Sequence, residues 1–172
     1  MIDLENYIRD VPDFPKKGIV FKDITPLLAD PGAMREACDR LAEPFVDRGV
    51  AKVIGIESRG FLFGAPVAER LGAGLVPIRK PGKLPAKTVR QAYELEYGTD
   101  EIEIHADAIA PGEKVLLLDD LLATGGTMAA ACDMVGRLAG EIVGVAFVLE
   151  LCFLHGRDRL AGHELHTLIR VT

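Results

Sequence analysis

Two adjacent carboxylates, Asp119 and Asp120, follow the apolar run Val115-Leu116-Leu117-Leu118 directly, and Ala123-Thr124-Gly125-Gly126-Thr127 comes just after them. The second segment suits a phosphate. Its glycines let backbone N–H groups come close, its threonines offer hydroxyl donors, and a helix opening near Met128 adds partial positive charge. Consecutive strand residues point to opposite faces, so the two acids do not share one metal ion in a simple way. At a strand end both could reach the cis-diol of a ribose; otherwise one of them caps the loop backbone. The chain has neither a Gly-x-x-x-x-Gly-Lys-Ser/Thr loop nor a Gly-x-Gly-x-x-Gly fingerprint, which removes the P-loop and dinucleotide readings. What remains is a loop for one terminal phosphate with two acids beside it.

Other side chains could serve the same chemistry. Arg59, in Glu57-Ser58-Arg59-Gly60, presents a guanidinium fork matched to phosphate oxygens, or else a solvated surface charge. Arg79, Lys80, Lys83, Lys87 and Arg90 make residues 79–90 basic, with two prolines and no apolar period. Phe21 sits in an irregular Gly- and Pro-bearing segment as either satellite core or a ligand wall. Glu94 and Glu96 share one alternation face of a hairpin centred on Gly98. His105, His155, His163 and His166 have no metal-ligand spacing with one another.

The elements that must position these residues read as follows. Apolar positions at helical spacing predict helices over 1–11, 31–48, 61–71 and 128–138. Short apolar runs predict buried strands at 51–56, 75–78, 115–118 and 142–149, and alternation predicts an edge strand at 165–171. Residues 91–97 and 101–105 alternate as a β-hairpin. Strand, charged loop, helix, strand is the pattern of parallel βαβ units. The expected fold is therefore α/β: an open, twisted, mostly parallel sheet flanked by helices. Residues 1–172 form one domain in this reading, with residues 1–30 a small N-terminal hood and 79–105 a long flexible loop and hairpin.

The totals agree with a globular protein. Hydrophobic residues make up 49 % and charged residues 27 % of the 172, and the net charge of −6 argues against broad nucleic-acid or anionic-membrane binding. Cys38, Cys132 and Cys152 form no Cys-x-x-Cys pair, so buried thiols in a reducing cytoplasm are expected. The N-terminus lacks a signal-peptide core and no run reaches the roughly 20 apolar residues of a membrane span.

Val-Leu-Leu-Leu-Asp-Asp-Leu-Leu-Ala-Thr-Gly-Gly-Thr resembles the phosphoribosyl-pyrophosphate signature of the type I phosphoribosyltransferases, and in this form that of the adenine phosphoribosyltransferases among them. The resemblance extends along nearly the whole chain through Gly18–Leu28, Glu57–Phe61, Arg79–Pro85 and Tyr93–Gly98. It implies transfer of the 5-phosphoribosyl group from phosphoribosyl pyrophosphate to adenine, giving AMP and pyrophosphate in purine salvage. It also implies Mg²⁺ carried by the substrate rather than held by protein ligands, a homodimer, and no nucleic-acid or membrane partner.

Carried over by position, Ala123, Thr124, Gly125, Gly126 and Thr127 hold the 5′-phosphate, and Asp119 and Asp120 the ribose. Arg59 and the backbone at Gly60, with Lys80 and Lys83, meet pyrophosphate. Val20, through its backbone, and Phe21 line the adenine pocket, and Glu96 is the carboxyl that handles the adenine proton. A cis peptide near Glu57–Ser58 is implied as well. Lys22 departs from the arginine common in relatives, which keeps the charge without a bidentate contact. Two rival readings are a transferase for hypoxanthine, guanine, xanthine or orotate, and a regulatory protein that senses phosphoribosyl pyrophosphate. The latter requires a nucleic-acid-binding element, for which the acidic chain has no spare helix-turn-helix.

Overall fold

Apolar stretches bounded by glycine or charge become the strands of a central sheet. The computed structural model describes residues 2–94 and 98–172. After a 3₁₀ turn at Leu4–Tyr7 come β1 (Arg9–Pro12), β2 (Val20–Asp23), α1 (Thr25–Ala29), α2 (Pro31–Ala42), β3 (Lys52–Ile56), α3 (Gly60–Leu71) and β4 (Gly74–Ile78). β5 (Thr88–Glu94), β6 (Thr99–His105), β7 (Lys114–Leu122), α4 (Gly126–Arg137), β8 (Glu141–Leu151) and β9 (Leu165–Val171) complete the order. The main sheet runs β4-β3-β7-β8-β9, and every neighbouring pair in it is parallel. β1–β2 and β5–β6 are separate antiparallel pairs.

The double burial of the central strands explains their unbroken apolar runs. In β7, Leu116 and Leu118 enter one core with Val53, Phe63, Ala146 and residues of α2, while Val115 and Leu117 enter the other with Ile54, Phe147 and α4. α2 starts where Asp30 accepts the Ala33 N–H at 2.8 Å and Pro31 sets the first turn. α3 ends on Gly72, whose positive φ closes the last turn.

Three expectations shift. Residues 1–11 form a short 3₁₀ turn and then a strand, because Arg9–Pro12 pairs with Val20–Asp23 and that ladder overrides the local helical period. The helix predicted over 31–48 stops at Ala42 and tightens into 3₁₀ over Glu43–Phe45, where Pro44 brings no N–H. The hairpin begins at Thr88 rather than Gln91, with Thr88 opposite His105. Glu103 draws that early segment in: its buried carboxylate accepts from the Lys83 and Leu84 N–H groups, Thr88 Oγ1 and Arg90 Nε.

Candidate active site

The site begins with a mismatch in strand length. β3 pairs with β7 only as far as Gly55–Leu118, whereas β7 continues beside β8 to Leu122. Beyond Leu118 the β7 edge is bare on the β3 side, and there the turn from β3 into α3 opens a cleft of about 520 Å³. Asp119, Asp120, Glu57, Ser58, Arg59, Lys80, Tyr93, Ala123 and Thr127 all line it. The acids were expected at the strand's end; instead the strand continues two residues past them, and the missing neighbour lets both reach one cleft.

Arg59 joins the walls. Its Nε lies 2.8 Å from Asp120 Oδ2, and its guanidinium carbon stands 5.6 Å from the centre of the Phe21 ring on β2. Phe21 is held in turn by an edge-on contact with Phe14 at 5.2 Å. Gly60 lets the turn pack against β7, since a Cβ there would meet Asp119 Oδ1 at 2.9 Å and the Leu118 carbonyl at 3.0 Å. Val20 is half-exposed on β2, opposite Pro12.

The two acids differ in electrostatic surroundings. Burial raises the Asp119 carboxyl well above the usual carboxylate range and the charge on Asp120 raises it further. Burial raises Asp120 too, but Arg59 opposes the rise. Asp119 is thus the more strongly raised of the two, and the Asp120 N–H donates to Asp119 Oδ1 at 2.9 Å.

The phosphate-type loop sits between β7 and α4. Gly125 adopts φ +80°, and the α4 N-terminus has no side-chain cap and no acid in its first turn. A Cβ on Gly125 would lie 2.4 Å from the Gly156 carbonyl, and one on Gly156 would lie 2.2 Å from the Ala123 carbonyl. The two glycines pack back to back, so the turn after β8 forms the rear wall of the loop. Arg157 fixes that turn through a bidentate pair with the buried Glu150, at 2.6 and 2.8 Å. Nothing in the spacing of the sequence pointed to Gly156, because its partner is distant along the chain.

The basic loop is not a set of free cations. Lys80 Nζ bonds to Asp100 and, at 3.1 Å, to Tyr93 Oη. Lys83 Nζ lies 2.5 Å from Glu57 Oε1, and the Lys80 N–H and Arg79 Nε donate to Glu57 Oε2. Burial alone would raise the Glu57 carboxyl, but Lys83, the Lys80 N–H and Arg79 outweigh it and hold it down at about 2. The Glu57–Ser58 peptide is cis. Glu96 lies outside the described residues; Glu94, its neighbour two positions earlier, ends β5 with its carbonyl 3.2 Å from where a Gly126 Cβ would stand.

This sheet, with a glycine-threonine loop following the strand that carries Asp119 and Asp120, is the arrangement of a phosphoribosyl transferase domain, and the family so described matches residues 28–164. The chain is 56 % identical over 168 residues to the adenine phosphoribosyltransferase of Thermobifida fusca, covering 98 % of this chain and 96 % of that one. The crystal structure of adenine phosphoribosyltransferase from Thermoanaerobacter pseudethanolicus superposes with a TM-score of 0.94 at 51 % identity, covering 98 % of each chain. That from Saccharomyces cerevisiae, complexed with an imino-altritol bisphosphate and adenine, gives 0.91 at 41 % identity over 96 % of each. The chain belongs to the adenine phosphoribosyltransferase family.

Proposed function

We propose that this chain transfers the 5-phosphoribosyl group of phosphoribosyl pyrophosphate to N9 of adenine, releasing AMP and pyrophosphate. The observation that carries the reading is the single cleft in which Asp119, Asp120, Ala123 and Thr127 meet Arg59 and Lys80, with Phe21 stacked on Arg59 beside them. Sugar-phosphate, leaving-group and base chemistry stand next to one another there.

In this reading the N–H groups and hydroxyls of Ala123–Thr127, at the uncapped start of α4, take the 5′-phosphate. Asp119 and Asp120 take the ribose hydroxyls. Arg59, the Gly60 backbone, Lys80 and Lys83 take pyrophosphate, and the Val20 backbone and Phe21 hold adenine. The N9–C1′ bond forms as the C1′–O bond breaks, and the electron pair leaves with pyrophosphate. Positive charge developing on the ribose is met by Asp120, and the leaving charge by the cations. Glu96 takes the proton that adenine sheds.

Asp119 and Asp120 are the carboxyls assigned to the sugar, and Asp120 is already committed to Arg59. That donor set suits Mg²⁺ arriving on the substrate's own oxygens, where it would neutralise phosphate charge. The half-exposed Leu62 and Leu75, on the adjacent α3 and β4, support a homodimer. Among the described residues no helix is long and apolar enough to cross a membrane; we place the enzyme in the cytoplasm.

The test is pyrophosphate release from phosphoribosyl pyrophosphate and Mg²⁺ as each base is added in turn. Release with adenine is expected. Release with hypoxanthine, guanine, xanthine or orotate but not adenine would reverse the choice of base.

A further inference from the structure

Arg59 and Lys80, which line the cleft, and Lys83, which lies outside its lining, each face a carboxylate, and the carboxylates are not equivalent. Asp120, opposite Arg59, belongs to the sugar end. Glu57, opposite Lys83, also accepts from Arg79 Nε and the Lys80 N–H, so it shapes the turn that carries both lysines. Asp100 differs from both. It lies on β6, outside the cleft lining, and reaches the cleft through two lining residues, Lys80 and Tyr93. Its other bonds are short-range: Oδ1 accepts the Glu101 N–H at 2.8 Å, and Oδ2 the Tyr93 hydroxyl at 3.2 Å.

We infer that Asp100 is a positioning residue that sets the affinity of the cleft for diphosphate by competing with it for the Lys80 ammonium. An ammonium has three donors, and Asp100 and Tyr93 Oη occupy two of them. Lys80 also stands 5.6 Å from the Tyr93 ring centre, so Tyr93 holds it at the cleft whether or not Asp100 is charged. Replacing the carboxylate by an amide keeps the shape and one of the two acceptor oxygens, and removes the negative charge beside an anion site. Both side chains of the pair remain partly wetted, at 38 % and 33 % exposed, so the competition is modest and reversible. Opposite each other, Lys80 is held more strongly protonated and Asp100 more strongly ionised, which keeps both charged at neutral pH. The residue thereby favours product release at the expense of binding tightness.

This inference rests on the assignment of Lys80 to pyrophosphate, and its test separates the two. Product inhibition by pyrophosphate against phosphoribosyl pyrophosphate is measured at fixed Mg²⁺ for the native chain, Asp100→Asn, Asp100→Glu, Lys80→Ala and the Asp100→Asn/Lys80→Ala pair. Asp100→Asn is expected to lower the inhibition constant and the KM for phosphoribosyl pyrophosphate by about two- to five-fold. The KM for adenine should stay unchanged. Asp100→Glu, which keeps the charge, should behave as native, and Asp100→Asn should have no effect once Lys80 is alanine. An unchanged or raised inhibition constant in Asp100→Asn, with Lys80→Ala still weakening pyrophosphate, overturns the inference alone. Indifference of pyrophosphate to Lys80→Ala overturns the assignment of Lys80 and the inference with it.

Discussion

Arg59 Nε sits 2.8 Å from Asp120 Oδ2, joining the first residue before α3 to the β7 edge that outruns β3. The Asp120 side chain is only 6 % exposed, so this guanidinium is what makes a buried charge tolerable there. Arg59→Leu should strand that charge and also remove a phosphate donor. A fall in kcat/KM on the order of 10²-fold, with a lower Tm, is expected. Adding Asp120→Asn should restore stability without restoring activity, which thermal melts and steady-state rates would separate.

Asp119 stores instability of a definite sign. Its carboxyl is raised in the folded chain, so the folded state binds more protons than the unfolded one as pH climbs from the ordinary carboxylate value to the raised one. Stability contributed by the protonated form is present below that window and is lost through it. Asp119→Asn should therefore raise Tm at neutral pH, by about 2–4 °C per kcal/mol recovered. The gain should vanish in acid, where both carboxyls are neutral. A lower Tm at neutral pH would contradict the raised carboxyl.

Gly156 and Gly125 test the rear wall of the phosphate loop. Gly156→Ala drives a methyl into the Ala123 carbonyl, 2.2 Å away, and the loop must shift. Overpacking of this kind costs about 1–3 kcal/mol. Affinity for AMP and ribose 5-phosphate should fall about tenfold or more, while pyrophosphate affinity stays near native. Equal losses for all ligands, read by calorimetry, would mean general unfolding rather than a displaced loop.

The thiols give an independent check of the cores. Burial pushes the Cys38 thiol up to about 11 and the Cys132 thiol up to about 12, and Cys152 is half-buried. Because Cys38 and Cys132 are buried and Cys152 only half-buried, a disulfide reagent at neutral pH should label Cys152 alone in the native chain and all three cysteines after denaturation. Rapid native labelling of Cys38 or Cys132 would show that their helices open.

Much of this could be read in the chain because it is local. Val115–Leu118 announces a strand covered on both faces, and its residues do divide alternately between two cores. Ala123–Thr127 carries its chemistry in its own glycines and hydroxyls. What stayed hidden depends on partners far along the chain. The period of residues 1–11 could not reveal that Arg9–Pro12 would find β2. The spacing of Lys80 and Lys83 did not show that Asp100 and Glu57 already hold them. The length of β7 relative to β3, which opens the cleft, is a register between strands about sixty residues apart and has no local signature.

Glu96 and Glu94, two positions apart in the sequence, allow the catalytic reading to be tried on both. Glu96→Gln is expected to lower kcat by about 10²–10⁴-fold, the range of a lost proton-transfer group, with Glu94→Gln close to native. Similar losses in both would remove the specific role of Glu96.

The most direct trial is to incubate the chain with adenine, phosphoribosyl pyrophosphate and Mg²⁺ and identify the products by chromatography and mass. AMP and pyrophosphate in equal amounts are expected. Consumption of phosphoribosyl pyrophosphate without AMP, or no turnover under conditions where the chain is folded, would contradict adenine phosphoribosyl transfer.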